Sequence, residues 1–379
     1  MPAVRHVGIN LVWLVPGQTG GLETYAGALI RALRETSADL RITTFLSRDA
    51  AAAAPAPWTT YADPIVVPVS PARRVEWVRG EQQLLPRAAA RAGVQLVHSL
   101  ASTGPAWGRF HRVTTVHDLI YRHVPEAHFG VRSLGMRVLV PLVARRSDRV
   151  IAVSRTTRDD IVELLHLPPD RIDVVPNGVT LPGAVAPTPT PELRERFDLG
   201  ERRLLLTAAA KRPHKNLMRL LDALALLDSA SRPVLVLPGY PTPHERELRA
   251  RAGALRLAGD VRFLAWVSRE DMEGLYAAAD AFVFPSLYEG FGLPVLEAME
   301  RGVPVACSGS GALAEVAGDA ALTFDPLSVR EIADALAALL TDPARVEQLR
   351  ERGRRRASEF TWARAARGTL ASYERALSR

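Results

Sequence analysis

Short runs of consecutive apolar residues alternate along this chain with longer stretches in which apolar positions recur every three or four residues. Val4–Val12, Leu40–Leu46, Ile65–Val69, Val94–His98, Val113–Val116, Arg149–Val153 and Ile172–Val175 read as strands. A second series follows at Arg203–Thr207, Pro233–Leu237, Val261–Leu264, Ala281–Phe284, Val303–Ala306 and Ala321–Phe324. Helical patterns fill the gaps, among them Leu22–Leu33, Arg155–His166, Leu217–Leu227 and Arg330–Leu340. Strands that are apolar throughout, joined by helices, belong to parallel sheets covered on both faces. The expected fold class is therefore α/β, with two doubly wound parallel-sheet domains.

The break between the two series is "LPGAVAPTPTPE" (181–192), whose prolines favour an extended, poorly helical segment, and it reads as an interdomain hinge. Domains of 1–181 and 182–360 follow. The tail 361–379 reads as a last helix, capped by Thr361, that packs back and is counted with the first domain. A chain of 379 residues is too long for one ordinary core, which agrees with two. Ligands of such sheets lie beyond the carboxyl ends of the strands, so two domains facing a central cleft would bind there.

Composition narrows the function. Hydrophobic residues make up 47 % and charged residues 23 %, as in soluble globular proteins. The net charge is +7, but nearly every cation is arginine and lysine occurs only at Lys211 and Lys215. That bias, with the absence of an aromatic-and-basic module, argues against nucleic acid as a partner. The single cysteine, Cys307, excludes an internal disulfide framework and a zinc cluster. The first apolar run is strand-like and ends in Gly and Pro, unlike a secretory leader, and no run is long enough to span a bilayer. The cytoplasm is the expected compartment.

The unusual residues fall at strand ends. After the first strand, Gly20 and Gly21 precede a helix and allow an anion to approach free backbone amides; a plain tight turn fits equally. His117 and Asp118 end the Val113–Val116 strand. A neutral imidazole there can hydrogen-bond a sugar hydroxyl, while Asp118 either fixes its tautomer or caps the loop. His98 reads as a packing residue. In the second half Lys211, Arg212 and Lys215 stand in a strand-end loop, and a lysine ammonium is a point charge suited to phosphate. "FVFPSLYEGFGLPVLEAMERGVPV" (282–305) is the most informative stretch. Glu289 sits in its glycine-flanked loop, and Gly290, Phe291, Gly292 and Leu293 lead into a helix with Pro294 in its first turn. That helix start offers amides to a phosphate, and Glu297 can accept from a ribose diol or simply complement the helix dipole. The Ser308–Gly311 loop repeats the pattern, and Trp266 lies near a candidate base pocket, with Ser268 and Asp271 as a helix-capping pair. Two carboxylates also admit a glycosidase, a weaker reading that leaves the lysines idle.

"GGLETYAGAL", "TVHDL", "AVSRTTRDDI", "RIDVVPNGV", "FPSLYEGFGLPVLEAM" and "GVPVACSGSGALAEV" together resemble the retaining, nucleotide-sugar-dependent glycosyltransferases of family 4, which have the GT-B fold. The glutamates eight apart, Glu289 and Glu297, are the most specific part of the resemblance. It implies that Glu297 binds the donor ribose and Glu289 the donor sugar. It further implies that Lys215 and a second cation bind the diphosphate, that His117 contacts the sugar, and that Gly20 and Gly21 approach the phosphates. No metal or other cofactor is implied. The family's arginine five residues before the loop lysine is replaced here by Ala210, so Lys211 or Arg212 would supply the second cation.

The overall look of "TVHDL" and "SLYEGFGLP" leans toward a GDP-mannose-like donor, with a UDP-sugar also open; the acceptor is a glycan, a lipid-linked or a small-molecule hydroxyl. Residues 71–149 carry thirteen arginines against five acids, and 132–149 is apolar on one side and basic on others. This fits either peripheral contact with anionic lipid at the inner membrane face or a solvated arginine-rich surface. A nucleotide-sugar epimerase and a non-catalytic nucleotide-sugar binder of the same fold are the rival functions.

Overall fold

A computed structural model describes residues 4–124, 131–180 and 185–378. The chain divides into two compact units. One comprises 1–122, 128–178 and 360–379, the other 123–127 and 179–359.

Among the described residues the first unit holds seven strands: β1 (His6–Leu11), β2 (Arg41–Leu46), β3 (Asp63–Val66), β4 (Leu96–Ser99), β5 (His111–Val116), β6 (Arg149–Ala152) and β7 (Ile172–Val174). Their order is β3-β2-β1-β4-β5-β6-β7, with every pairing parallel. The second unit holds β8 (Leu204–Leu206), β9 (Val234–Leu237), β10 (Val261–Phe263), β11 (Ala281–Phe284), β12 (Val305–Ser308) and β13 (Leu322–Phe324). These run β10-β9-β8-β11-β12-β13, again all parallel. Each strand overlaps one of the expected apolar runs, although β3 starts two residues before Ile65–Val69 and β12 ends two residues beyond Val303–Ala306. They read clearly because a strand covered by helices on both faces has no polar side to blur the signal. In each sheet the strand order reverses beside the first strand, between β1 and β4 and between β8 and β11. Such switch points open a crevice at the carboxyl ends of the strands.

The C-terminal helix Trp362–Leu377 belongs to the first unit, where it packs on the helix Gly21–Thr36 and on β5 and β6. The Thr361 hydroxyl caps it by accepting from the Arg364 amide at 3.2 Å. Tyr373 and Ala376 are fully buried in that core, and burying a side chain of this kind stabilises by about 2 kcal/mol. Asp173 on β7 fastens the helix electrostatically. It accepts from Ser372 at 2.7 Å and pairs with Arg375 at 2.9 Å and with Arg149 Nε at 2.9 Å.

Two segments depart from the sequence expectation. Residues 181–184 of the expected hinge lie outside the described residues. From Thr188 onward the segment is docked in the second unit: the Thr188 amide donates to Glu270 O and its hydroxyl to Asp271 Oδ1. A helix then starts within the proline-rich stretch, Thr190–Arg196, because proline in a first turn costs no helical hydrogen bond. The other segment is 74–92, where the helix expected to fill the gap between strands is not a plain α-helix. Arg74–Arg79 continues through a π-helical turn, Gly80–Leu84, into Leu85–Ala92. Gly80 is needed there, since a Cβ would fall 2.8 Å from Val69 and 2.9 Å from Val12.

Candidate active site

The second unit brings its chemistry together at the β8–β11 switch. After β8 the chain makes a short 3-10 turn, Pro213–Lys215, and Asn216 follows with φ +59, a conformation asparagine tolerates well. The Asn216 side-chain Nδ2 donates to Pro285 O at 3.0 Å and to Pro326 O at 2.7 Å, and the Leu287 backbone amide donates to His214 O at 2.8 Å. These bonds tie the loop after β8 to the loop after β11. Lys215 Nζ therefore stands 2.5 Å from Glu289 Oε1, each side chain only 16 % exposed, and 5.4 Å from the Phe284 ring centroid.

Gly290, Phe291 and Gly292 complete the loop. Gly292 caps the helix Leu293–Glu300 with φ +119, and a Cβ there would meet Leu313 at 2.6 Å. Only glycine fits both constraints. Glu297, one turn into this helix, accepts from the Tyr276 hydroxyl at 3.1 Å. Burial raises the Glu297 carboxyl above its ordinary value, while the Arg301 charge and the Tyr276 hydrogen bond pull it back. Arg301 is itself oriented: it donates to Glu297 O at 3.0 Å, pairs with Glu273 and lies 5.0 Å from the Tyr276 ring centroid. Tyr276, Glu273 and Arg301 went unnoticed in the sequence. The i, i+4 spacing of Glu297 and Arg301 on one helix face was the available signal.

Lys211 corrects an expectation. Its side chain is 0 % exposed, and Nζ donates to Gly239 O at 2.7 Å and Leu264 O at 2.6 Å, with Glu245 at 3.5 Å. Burial lowers its pKa, which Glu245 partly offsets. An ammonium so enclosed is not presented to a phosphate. Arg212, next in the chain, is exposed. Trp266 is also exposed, and its ring stacks on Tyr240 at 4.5 Å.

In the first unit Gly20 caps the helix Gly21–Thr36 with φ +57, and a Cβ on Gly20 or Gly21 would meet nothing within 4 Å. The backbone is thus open on that side, as approach by an anion requires. Glu23 in the first turn accepts from the Gly17 amide at 2.8 Å and shapes the loop. His117 follows β5. Its Nε2 donates to Leu100 O at 2.7 Å, which fixes the tautomer and leaves Nδ1 as the acceptor. Asp118 does not fix the tautomer; it caps the loop by accepting from the Ile120 amide at 3.1 Å. Burial lowers the His117 pKa, against smaller opposing effects of the Leu100 carbonyl and Asp118, so the ring is neutral at pH 7. Tyr25 meets it edge-on at 4.6 Å. Behind Tyr25 runs a buried chain: the Tyr25 hydroxyl lies 3.2 Å from Thr115, and His98 bonds both Thr115 and Tyr373 at 2.8 Å. His98 is fully buried, in keeping with a packing role.

Residues 190–356 match the family model "Glycosyl transferases group 1", and residues 19–181 match "Glycosyltransferase Family 4". The O-antigen chain mannosyltransferase B of Escherichia coli is 33 % identical over 273 residues, which span 69 % of this chain and 70 % of that one. The chain belongs to the group 1, family 4 glycosyltransferases. Among solved structures this glycosyltransferase is similar to sucrose-phosphate synthase from Thermosynechococcus elongatus, with a TM-score of 0.78 at 21 % identity over 98 % of both chains. It is also similar to Anabaena HepE in complex with UDP-glucose, with a TM-score of 0.76 at 20 % identity over 97 % of this chain and 99 % of the other. The fold is GT-B, and the protein is a glycosyltransferase.

Proposed function

We propose that this glycosyltransferase moves a hexose, with mannose favoured, from a nucleoside-diphosphate sugar to an acceptor hydroxyl with retention of the anomeric configuration. The Lys215–Glu289 pair carries the reading: a cation and a sugar-binding carboxylate held together beside a glycine-capped helix start. The mannosyltransferase relative supports the sugar, and the UDP-glucose complex of a GT-B neighbour supports the donor class. GDP-mannose-like and UDP-linked donors both satisfy these features.

In this mechanism the bond between the anomeric carbon and the diphosphate oxygen breaks, and its electron pair leaves with the diphosphate. Lys215, joined by exposed Arg212 and the amides leading into Leu293–Glu300, stabilises that growing charge. Glu289 shifts from Lys215 to the hydroxyls of the donor sugar. Glu297, steadied by Tyr276 and Arg301, accepts from the ribose diol. The acceptor oxygen bonds to the anomeric carbon on the face the leaving group vacates, and its proton passes to the leaving phosphate. His117 Nδ1 accepts from a donor-sugar hydroxyl, and Gly20 and Gly21 serve the phosphates. The test is nucleotide release from a panel of nucleoside-diphosphate hexoses with and without glycan acceptors. Release that needs acceptor supports transfer; interconversion of sugar epimers without release supports the epimerase instead.

A lipid-linked acceptor is favoured by the surface of the first unit, where Val75, Trp107 and Val138 are exposed in a segment rich in arginine. Among the described residues no helix is long and apolar enough to cross a membrane. Peripheral contact predicts co-sedimentation with vesicles that rises with anionic lipid content; binding indifferent to that content removes the idea.

A further inference from the structure

The His117 imidazole donates from Nε2 to Leu100 O at 2.7 Å, and Nδ1 is left to accept. One such bond is a hinge. The ring can tip about the line of the bond and carry Nδ1 away from its target, because a carbonyl accepts over a broad range of directions. The Tyr25 ring stands 4.6 Å away at 86°, in the edge-to-face arrangement that aromatic rings prefer, and blocks that tipping. Leu100 and Tyr25 together hold the imidazole where one of them alone would not.

Tyr25 is itself pinned at both ends. Its main chain belongs to the start of the helix Gly21–Thr36, and its hydroxyl lies 3.2 Å from Thr115 Oγ1. Thr115 Oγ1 lies 2.8 Å from His98 Nε2, and His98 Nδ1 lies 2.8 Å from the Tyr373 hydroxyl. Thr115, His98 and Tyr373 are fully buried and Tyr25 nearly so. Burial, with a smaller effect of His117, lowers the His98 pKa to about 3, and burial raises both tyrosines. The line is therefore uncharged at pH 7, and every group in it can both donate and accept. The C-terminal helix grips Tyr25 twice: directly through the Trp362 ring at 5.9 Å, and from Tyr373 through His98 and Thr115. Phenylalanine at position 25 would pack on His117 and Trp362 with no buried hydroxyl to satisfy, so the hydroxyl serves to fix where the ring stands. His98 on β4 lies two residues before Leu100. Both supports of His117 thus trace to one buried line that begins in the last helix.

We propose that Tyr25 is a positioning residue that aims His117 Nδ1 at the donor sugar, and that Thr115, His98 and Tyr373 hold it in place from the C-terminal helix. This rests on the reading of His117 as the group that meets the sugar. Tyr25 is buried and acts only through the imidazole.

The experiment has two readouts on the full chain and on Tyr25→Leu, Tyr25→Phe, Tyr373→Phe and His117→Phe. Carbon-13 NMR of ring-labelled histidine at pH 8 reads the His117 tautomer, its signal assigned by loss in His117→Phe. Calorimetry compares GDP-mannose with GDP and UDP-glucose with UDP. The expected wild-type ring is the Nε2–H tautomer alone, and Tyr25→Leu should show both tautomers. The sugar nucleotide should weaken about fivefold in Tyr25→Leu, the scale of one hydrogen bond, while the nucleoside diphosphates bind as before. Tyr25→Phe and Tyr373→Phe each remove one hydroxyl from the line and should both fall between wild type and Tyr25→Leu. Tyr25→Leu added to His117→Phe should cost nothing further, since the two act through one contact. An unmixed tautomer with wild-type affinity in Tyr25→Leu overturns the proposal, as does an equal loss for nucleotide and sugar nucleotide, which is general damage to the fold. Tyr373→Phe matching wild type while Tyr25→Phe does not overturns the part given to the C-terminal helix. Should Tyr25→Leu fail to fold, the isosteric Tyr25→Phe decides. His117→Phe that binds the sugar nucleotide as tightly as wild type overturns the reading of His117, and this proposal with it; a weak His117→Phe beside an unaffected Tyr25→Leu overturns this proposal alone.

Discussion

Replacing Lys215 with methionine removes the one ammonium that faces Glu289. In the resting protein the pair is 2.5 Å apart and only 16 % exposed on each side. Deleting one partner leaves a partly enclosed carboxylate without its charge-assisted hydrogen bond, so stability should fall by about 1–3 kcal/mol. The effect on transfer should be larger. A preorganised charge aimed at the leaving group is worth about 3 kcal/mol in the transition state, or roughly 10²-fold in kcat. Lys215→Met/Glu289→Gln should recover much of the lost stability, because the orphaned charge is gone, but none of the lost rate. Thermal unfolding reads the first quantity and nucleotide release under saturating donor reads the second. Turnover of Lys215→Met within threefold of wild type refutes the leaving-group role. A double variant no more stable than Lys215→Met refutes the claim that the two groups neutralise each other.

Asp173→Ala should detach the C-terminal helix, leaving buried Arg149 without its carboxylate and costing about 3–5 kcal/mol, read as a lowered unfolding midpoint. Glu81 is 1 % exposed on the π-helical turn and accepts from Asn10 at 2.9 Å; burial pushes its carboxyl up to about 7. A folded-state value above the unfolded one means that its contribution to stability declines as pH rises from about 4.5 to 7. Glu81→Gln should therefore gain on wild type across that window, and equal unfolding midpoints at pH 5 and pH 8 relative to wild type would contradict this. Burial lowers the His117 pKa from its ordinary value, so the neutral ring persists at pH 7 and its protonation should lower kcat/KM only on the acid side. His117→Phe should be slow and should lose that acid limb.

Much of this was legible in the sequence because it is written locally. The strands among the described residues all overlap apolar runs, β3 and β12 by half, and the Glu289–Glu297 loop declared its helix start through Gly292 and Pro294. Lys211 shows where reading stops. Its position at a strand end is local information, but the carbonyls of Gly239 and Leu264 that draw it inward are set by how three loops fold together. Tyr276 escaped notice for a similar reason: it reaches Glu297 across 21 residues from another helix. The proline-rich segment misled in the opposite way, since proline weakens a helix interior yet suits the first turn in which Pro191 lies.

The proposed activity is acceptor-dependent transfer from a nucleoside-diphosphate hexose with the anomeric configuration kept. Proton NMR of the anomeric region during turnover of an α-linked donor tests it directly. An α-linked product should appear in step with free nucleoside diphosphate, and only when acceptor is present. A β-linked first product, or nucleotide release at the same rate without acceptor, would contradict it.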